Sequence, residues 1–135
     1  MVDWKDTTFD YGTGKIQISG VTLQDTCDII QKASKKEEKI VYSDIMNQLK
    51  QRGHKKISRR TIGTIVGEVS IQVSAITTPS VYPSSVVIRK DSGVPGEGFW
   101  GIDTGTLPPN KVPENQRKVA LQQYQKNTFD WASKL

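Results

Sequence analysis

Hydrophobic residues recur at helical spacing in several parts of the chain, and the first of these follows residue 21. Leu23, Cys27 and Ile30 are spaced so that they share one face of a helix. We expect this helix to begin at Thr22, with Asp25 three residues on as an acidic variant of the capping box. Cys27 on such a face is interpreted as a small buried hydrophobic residue rather than a nucleophile.

Two further helices are predicted by the same spacing. The second covers residues 44–52, is capped by residue 42 or 43, and has Gly53 just beyond its end. The third begins after Ser58, a favourable N-cap residue, and continues to about Ile76. The core positions of these two helices are Ile45, Met46, Leu49, Ile62, Ile65, Val66, Val69 and Val73.

The pattern changes to that of β-structure on both sides of the helical region. Residues 15–18 alternate between polar and apolar side chains and predict a short strand. Residues 85–90 and 98–102 predict the two strands of a β-hairpin, with glycine-rich sequence between them. Helices followed by a hairpin are typical of a winged helix, in which the hairpin is the wing.

The chain as a whole suits one domain with one core, because it has 135 residues. We predict an α+β fold: a winged helix-turn-helix domain (21–102) of three or four helices with a β-hairpin wing, preceded by a segment with a short strand (1–20). A proline-rich linker (103–113) and a C-terminal helix that packs on the domain (114–135) follow. The packing residues of that last helix are expected to be Val119, Leu121, Tyr124 and Phe129.

The positive charge of the chain is concentrated in one region. The net charge is +5, and residues 29–60 carry ten Lys and Arg against three acidic residues. Residues 50–60, which join the second and third predicted helices, hold six cationic side chains and no carboxylate. A basic connector that leads into a helix N-terminus presents cations and unpaired backbone N–H groups to one polyanion, so nucleic acid is the leading predicted partner. A basic surface that only aids solubility is the alternative.

The predicted DNA contacts lie on the connector, the first turns of the third helix and the first wing strand. Connector lysines would contact phosphates and set the register on the duplex. The long, planar side chain of Arg60 suits a base edge or the place of an extruded base. The predicted set is Lys55, Lys56, Ser58, Arg59, Arg60, Thr61, Thr64, Arg89 and Lys90.

Catalysis and metal binding find little support in the sequence. The one histidine, His54, is expected at the surface without an acidic partner, and one His with one Cys cannot form a zinc site by themselves. The glycine-rich residues 93–98 include a proline and no helix is predicted after them, unlike a P-loop. We therefore expect no enzymatic activity and no cofactor. A single cysteine, no long apolar run and no signal peptide predict a soluble cytoplasmic protein without a membrane partner.

Four stretches of the chain resemble the C-terminal winged-helix domain of O6-alkylguanine-DNA alkyltransferases. They are residues 41–45 (Val-Tyr-Ser-Asp-Ile), 60–63 (Arg-Thr-Ile-Gly), 79–87 (Pro-Ser-Val-Tyr-Pro-Ser-Ser-Val-Val) and 93–99 (Gly-Val-Pro-Gly-Glu-Gly-Phe). The family has Tyr-Gly-Glu-Ile, Arg-Ala-Val-Gly, Pro-Cys-His-Arg-Val and a glycine-rich end, in the same order. The resemblance implies a DNA-binding fold in which Arg60 matches the arginine that takes the place of a flipped nucleotide.

The resemblance stops at the reactive residues. The family's cysteine aligns with Ser84 and its histidine with Ser85. A thiolate activated through histidine accepts the alkyl group, which a serine without a base cannot do. Alkyltransferase-like proteins also lack the cysteine but bind modified DNA; their usual tryptophan replacement is absent here too. The likeness thus implies binding without alkyl transfer, with a candidate base pocket formed by Tyr42, Pro83, Ser84 and Ser85.

The chain more closely resembles an uncharacterised bacterial and phage module that is often joined to restriction-type nucleases. The module has a wing of the form Pro-x-Leu-x-x-x-Val-Val-x-x-x-Thr-Gly-x-Pro-Gly-x-Gly-Phe and a final helix ending in an aromatic residue, a spacer and Trp. Residues 86–87, 92–99 and 119–131 fit this pattern. No nuclease domain is present in the sequence, so the likeness implies a free-standing version from a restriction-modification, repair or mobile-element context.

These features together favour a non-catalytic winged-helix protein that binds duplex DNA, with a modified or flipped base as a candidate target. Three alternatives stay open. The first is a protein–protein adaptor, a specificity subunit or an inhibitor acting on a nuclease or repair complex. The second is an enzyme that uses Ser84 on a flipped base, and the third is an RNA-binding protein. The role of residues 1–20 is also open.

Overall fold

A computed structural model describes residues 2–135, which form four α-helices and two small sheets. This confirms the predicted α+β class. The helices are α1 (Gly20–Lys35), α2 (Tyr42–Gln51), α3 (Arg59–Ser74) and α4 (Arg117–Ser133). The strands are β1 (Thr7–Asp10), β2 (Lys15–Ile18), β3 (Ile40–Val41) and β4 (Val87–Ile88).

The main core lies between the helices. Helix α1 packs against α2, α3 and α4, and α2 packs against α3. The apolar faces predicted for the first three helices supply this core, because burial removes their side chains from water. Its fully or almost fully buried members include Leu23, Cys27, Ile30, Ile45, Leu49, Ile65, Val66, Val69 and Val73.

Helix α1 begins two residues earlier than the sequence pattern predicts. Ser19 is the N-cap, and its hydroxyl accepts a hydrogen bond from the backbone N–H of Thr22 at 3.2 Å. The expected capping role of Asp25 is therefore wrong. Gly20 occupies the first helical position because a Cβ there would lie 2.6 Å from the backbone oxygen of Trp4.

The connector between α2 and α3 is bounded as predicted on both sides. Gly53 has a φ of 93°, which a glycine adopts without the steric penalty of a side chain. Ser58 caps α3 in a reciprocal arrangement with Thr61, each side chain bonding the other's backbone N–H. Helix α2 begins at Tyr42 after Val41 and has no side-chain cap, so the predicted caps at residues 42 and 43 are wrong.

The predicted strand at residues 15–18 is confirmed as β2, and it pairs antiparallel with β1, which the sequence analysis did not identify. Thr7 lies opposite Ile18 and Phe9 opposite Ile16. Ile18 is buried in the main core, while Phe9 and Ile16 are half-buried and pack against it. The role of this N-terminal hairpin is therefore partly to cover the helices.

The β-hairpin predicted over residues 85–102 is wrong. Pro83–Val86 and Glu97–Gly101 form short 3-10 helices, and only Val87–Ile88 is a strand, which pairs in parallel with β3. Residues 98–102 bury Phe99 and Ile102 against Tyr124 of α4 instead of pairing with β4. A tight loop follows β4, closed by the Arg89 N–H to Val94 O bond at 2.9 Å and the Gly93 N–H to Arg89 O bond at 2.8 Å.

The proline-rich residues 103–113 are held against α3, where the Thr104 hydroxyl is 2.7 Å from that of Ser74, and against α4. The Tyr82 hydroxyl donates to the Thr104 carbonyl oxygen at 2.7 Å, and the Tyr124 hydroxyl donates to the Leu107 carbonyl oxygen at 2.7 Å. Of the residues predicted to pack from the last helix, Tyr124 is buried and Leu121 and Phe129 are half-buried, but Val119 is 72% exposed and that expectation is wrong. None of the helices in residues 2–135 combines the length and hydropathy that a bilayer-spanning segment needs.

Candidate nucleic-acid interface

The short parallel sheet places two segments that line a cleft side by side. In a parallel pair both carboxyl ends lie at the same edge, so the residue after β3 and the residue after β4 are neighbours. The first is Tyr42, at the start of α2, and the second is Arg89, at the start of the tight loop. Together with one face of α3 they enclose a cleft of about 930 Å³.

Helix α3 forms one wall of this cleft, and two glycines leave part of that wall without side chains. Arg59, Gly63 and Gly67 are four residues apart and line the cleft together with Glu68. A Cβ added at Gly63 or Gly67 would meet nothing within 4 Å, so neither glycine is required by packing. Each glycine in a helix interior costs about 1 kcal/mol relative to alanine. The space in the cleft is therefore maintained at the expense of helix stability.

Tyr42 also lines the cleft and joins the start of α2 to the segment that follows the tight loop. Its hydroxyl oxygen accepts a hydrogen bond from the backbone N–H of Gly96 at 3.1 Å. Burial raises the pKa of Tyr42, while the Gly96 N–H and the Arg89 charge partly offset that rise. The Tyr42 phenol is therefore neutral at physiological pH, with an aromatic surface in the cleft.

Of the residues predicted to form a base pocket, Tyr42 and Ser84 line the cleft, and Pro83 and Ser85 lie in the core. Ser84 is 3% exposed; its N–H donates to the Ser70 hydroxyl at 2.8 Å, and that hydroxyl donates to the Ser84 oxygen at 2.6 Å. The Ser85 hydroxyl is 3.1 Å from that of Thr128 on α4. Both serines therefore also serve as polar links in the core.

The predicted DNA contacts divide into three groups. Thr64 and three cationic residues, Arg59, Arg89 and Lys90, line the cleft. Ser58 and Thr61 form the cap of α3, and Thr61 is buried, so its side chain is committed to the fold. The remaining members, Lys55, Lys56 and Arg60, are exposed outside the cleft lining.

The cations at the start of α3 are exposed and free of acidic partners within the part of the chain that the structure describes. No carboxylate oxygen of residues 2–135 lies within 4.0 Å of a cationic nitrogen of Lys55, Lys56, Arg59, Arg60 or Lys90. Arg89 differs, because its Nη2 is 3.1 Å from Asp91 Oδ2. The cleft also has acidic residues in its lining, namely Glu68, Asp91 and Asp103.

Arg60 is held by the N-terminal hairpin, a contact that the sequence did not reveal. Its guanidinium carbon lies 4.7 Å from the centroid of the Tyr11 ring, and Nη2 donates to the Thr13 hydroxyl at 3.1 Å. The Tyr11 hydroxyl donates in turn to the Thr64 hydroxyl at 2.9 Å. Nothing in the local sequence pairs residues 11 and 60, so only the tertiary fold brings them together.

His54 has an acidic partner, contrary to the expectation from sequence. Its Nε2 lies 2.7 Å from Asp25 Oδ2, and its Nδ1 lies 3.1 Å from the Thr22 hydroxyl. Asp25 also lies 3.4 Å from Nη1 of Arg52. These contacts join the connector to α1, which explains how a polar, glycine-containing turn keeps a defined position. They leave the cations of residues 55–60 out of the ion-pair network.

The remaining reactive side chain, Cys27, is 2% exposed. Burial, with a smaller effect of the Asp28 charge, raises its pKa from 9.0 to about 12. The thiol is therefore protonated at neutral pH, as its position on the apolar stripe predicts. Within residues 2–135, no three His, Cys, Asp or Glu side chains cluster in a way that could hold a metal ion.

Comparison with known proteins identifies no relative of this chain. No protein-family model, curated protein or solved structure matches the chain.

Proposed function

We propose that this chain is a non-catalytic winged helix-turn-helix protein that binds duplex DNA. In this proposal α2 and α3 are the two helices of the motif, and α3 presents its first turn to a groove. The tight loop of residues 89–94 takes the place of the predicted β-hairpin wing.

The observation that carries the proposal is the set of exposed cations around the N-terminus of α3. Lys55, Lys56, Arg59 and Arg60 project near a capped helix end and have no carboxylate within ion-pairing distance in residues 2–135. Cations held within the protein's own ion pairs would release little free energy on meeting phosphate. These cations are available to neutralise a polyanion and displace its counterions.

The cleft supports an extruded base as part of the target. It combines a neutral aromatic residue, Tyr42, with a glycine-lined helix wall and with Arg59 and Arg89 at its boundary. A flat base needs an aromatic or apolar surface for stacking and nearby polar groups for recognition, and the backbone on either side of it needs cations. Two of the residues that the resemblance to alkyltransferases implies for a base pocket, Tyr42 and Ser84, line this cleft.

The surroundings of Ser84 support binding without catalysis. A serine nucleophile needs a base within hydrogen-bond reach. The hydrogen bonds of Ser84 within residues 2–135 go to Ser70, and the one histidine of the sequence is bonded to Asp25 and Thr22. Incubation with plain and modified duplexes is expected to leave the DNA chemically unchanged for both the wild type and a Ser84→Ala variant. A DNA product formed by the wild type and lost in Ser84→Ala would instead establish an enzyme acting through that hydroxyl.

The direct experiment is a fluorescence anisotropy titration of three labelled probes at two salt concentrations. The probes are a plain DNA duplex, the same duplex with one O6-methylguanine, and a structured RNA of similar length. We expect both duplexes to bind with strong salt dependence, the modified duplex more tightly, and the RNA more weakly. Equal or tighter binding of the RNA would favour the RNA-binding alternative.

A protein-binding adaptor is the second candidate, and the exposure of apolar side chains favours it. Leu107 is 84% exposed and Val119 is 72% exposed. Large apolar side chains at the surface are common singly, so this observation carries less weight than the cations. Absence of salt-dependent DNA binding, together with affinity for a nuclease or repair protein, would establish the adaptor instead.

A further inference from the structure

We infer that the N-terminal hairpin, through Tyr11 and Thr13, positions Arg60 for DNA binding. This inference rests on the proposed function, because it assigns a role to the hairpin in the same interface. In this inference Tyr11 is a positioning residue: it orients Arg60 and does not itself contact DNA.

The geometry joins three elements at one point. Arg60 is in the first turn of α3, Tyr11 follows β1, and Thr13 is in the turn between β1 and β2. The Arg60 guanidinium lies over the Tyr11 ring at 4.7 Å, within the range of a cation–π contact, and donates to the Thr13 hydroxyl at 3.1 Å. Two groups on the hairpin therefore restrain the guanidinium.

The hairpin turn is itself fixed to α3 and closed internally. The Tyr11 hydroxyl donates to the Thr64 hydroxyl at 2.9 Å, one helical turn beyond Arg60. The Tyr11 N–H donates to the Gly14 carbonyl oxygen at 3.0 Å, and the Gly12 N–H donates to Asp10 Oδ1 at 2.9 Å. The ring beneath Arg60 thus has little freedom to move relative to the helix that carries the arginine.

Holding an arginine in this way affects binding because a free side chain loses rotamer freedom when it binds. Arginine has one of the largest side-chain entropies, and a guanidinium already oriented loses less of it per hydrogen bond formed. Arg60 nevertheless remains exposed, so its outer edge is open to a phosphate or a base. The contact therefore restrains the side chain without removing it from solvent.

The acidic residues of the N-terminal segment argue against direct contact of the hairpin with DNA. Residues 1–20 carry three Asp against two Lys, and Asp10 lies at the start of the turn. Carboxylates beside a phosphate backbone would repel it. The hairpin is thus better suited to support Arg60 from behind than to lie along the duplex.

The test is a double-mutant cycle on affinity for a fluorescein-labelled, mixed-sequence DNA duplex. The variants are Tyr11→Leu, which removes the ring but keeps an apolar side chain, and Tyr11→Phe, which keeps the ring. Each is measured in the wild-type and the Arg60→Ala background. Ile16→Val serves as the control, because it weakens packing of the same hairpin opposite Phe9 without touching Arg60. Urea unfolding of every variant accounts for changes in stability.

We expect Tyr11→Leu to weaken binding about two- to five-fold in the wild-type background, the effect of a cation–π contact at an exposed site. The same change should have no effect once Arg60 is alanine. Tyr11→Phe, which keeps the ring but loses the hydrogen bond to Thr64, should weaken binding less than Tyr11→Leu, and Ile16→Val should bind like the wild type. Equal weakening in both backgrounds would overturn the inference in favour of a structural role. Tighter binding by Tyr11→Leu would also overturn it, because the hairpin would then hold Arg60 away from DNA. If the wild type binds no DNA, the proposed function itself fails, whereas binding that is insensitive to Tyr11 rejects only this inference.

Discussion

At the scale of single residues, the cations of the proposed interface differ in what holds them. Arg60 lies against Tyr11 and Thr13, whereas Lys56 is exposed and has no ion pair in the described chain. A held, planar guanidinium suits recognition of one group, and a mobile ammonium suits a phosphate. The two residues are therefore expected to contribute differently to binding.

Replacing Arg60 with alanine should weaken binding by about 1–3 kcal/mol if its side chain reaches a base or the place of an extruded base. The loss should be larger for a duplex with O6-methylguanine than for a plain duplex. Lys56→Ala is the matched control: it should weaken both duplexes equally and reduce the slope of log affinity against log salt by about 0.9. Unchanged affinity of the Arg60 variant for both duplexes would remove this residue from the interface.

Cys27 gives a prediction on pH. The pKa of its thiol is 9.0 in ordinary surroundings and about 12 in the fold. As pH rises above 9.0, the unfolded chain loses this proton and the folded chain keeps it, so ionisation favours unfolding. The contribution of the protonated Cys27 thiol to the free energy of unfolding is full below pH 9.0. At about pH 10 it is smaller by about 1 kcal/mol. Urea unfolding at neutral and alkaline pH should show a smaller alkaline decline in Cys27→Ala than in the wild type; equal declines would contradict the assignment.

At the scale of elements, the helices were predictable and the structure of residues 85–102 was not. Helical periodicity identified the cores of α1, α2 and α3, and Ser58 and Gly53 marked the ends of the connector. The segment 98–102 has apolar residues that fit a strand equally well, but Phe99 and Ile102 gain more by packing with Tyr124. The choice between strand pairing and packing against Tyr124 depends on residues that are distant in sequence. Local sequence patterns therefore cannot predict it.

Some features of the candidate site were also predictable from the sequence and others were not. The cations of the connector and α3 were evident from sequence, because charge is a property of each residue alone. The partners of Arg60 and His54 were not, since Tyr11 and Asp25 are 49 and 29 positions away in sequence. The glycine wall of the cleft was missed because Gly63 and Gly67 read only as weak points of a helix.

The glycine wall of α3 leads to a prediction for the cleft. Gly67→Leu should fold normally, because leucine is a better helix former and a Cβ at this position meets nothing within 4 Å. Its side chain should occupy the cleft and abolish any preference for the modified duplex, while affinity for the plain duplex is retained. Gly63→Ala is the control and should keep the preference, since it adds one methyl group. The ratio of the two dissociation constants measures this effect, and an unchanged ratio in Gly67→Leu would rule out the cleft as the base site.

At the scale of the whole molecule, the segment before α4 joins the helices into one unit. The Ser80 hydroxyl donates to the Ser74 carbonyl oxygen at 2.9 Å and accepts from the Thr106 N–H at 2.8 Å. Gly105 lies directly against this link with a φ of +83°. The C-terminal end of α3 is thereby tied to the residues that lead into α4.

Gly105→Ala should lower the free energy of unfolding by about 2–4 kcal/mol. The added Cβ would be 2.5 Å from the Ser80 hydroxyl oxygen and 2.7 Å from that of Tyr82, in addition to the strain of a positive φ. Gly12→Ala is a matched control, because its φ of +80° is similar and its Cβ would meet nothing within 4 Å. Urea denaturation of the two variants should show the larger loss for Gly105→Ala. Equal losses would mean that the close packing around Gly105 adds nothing to stability.

The central proposal is that exposed cations around the start of α3, which have no carboxylate partner among residues 2–135, form a surface for a polyanion. The measurement that tests it most directly is the dissociation constant for a DNA duplex over a series of salt concentrations. If Lys55, Lys56, Arg59, Arg60 and Lys90 each neutralise a phosphate, log affinity should fall linearly with log salt with a slope of about −4.5. A slope near zero, or no measurable binding at low salt, would contradict the account.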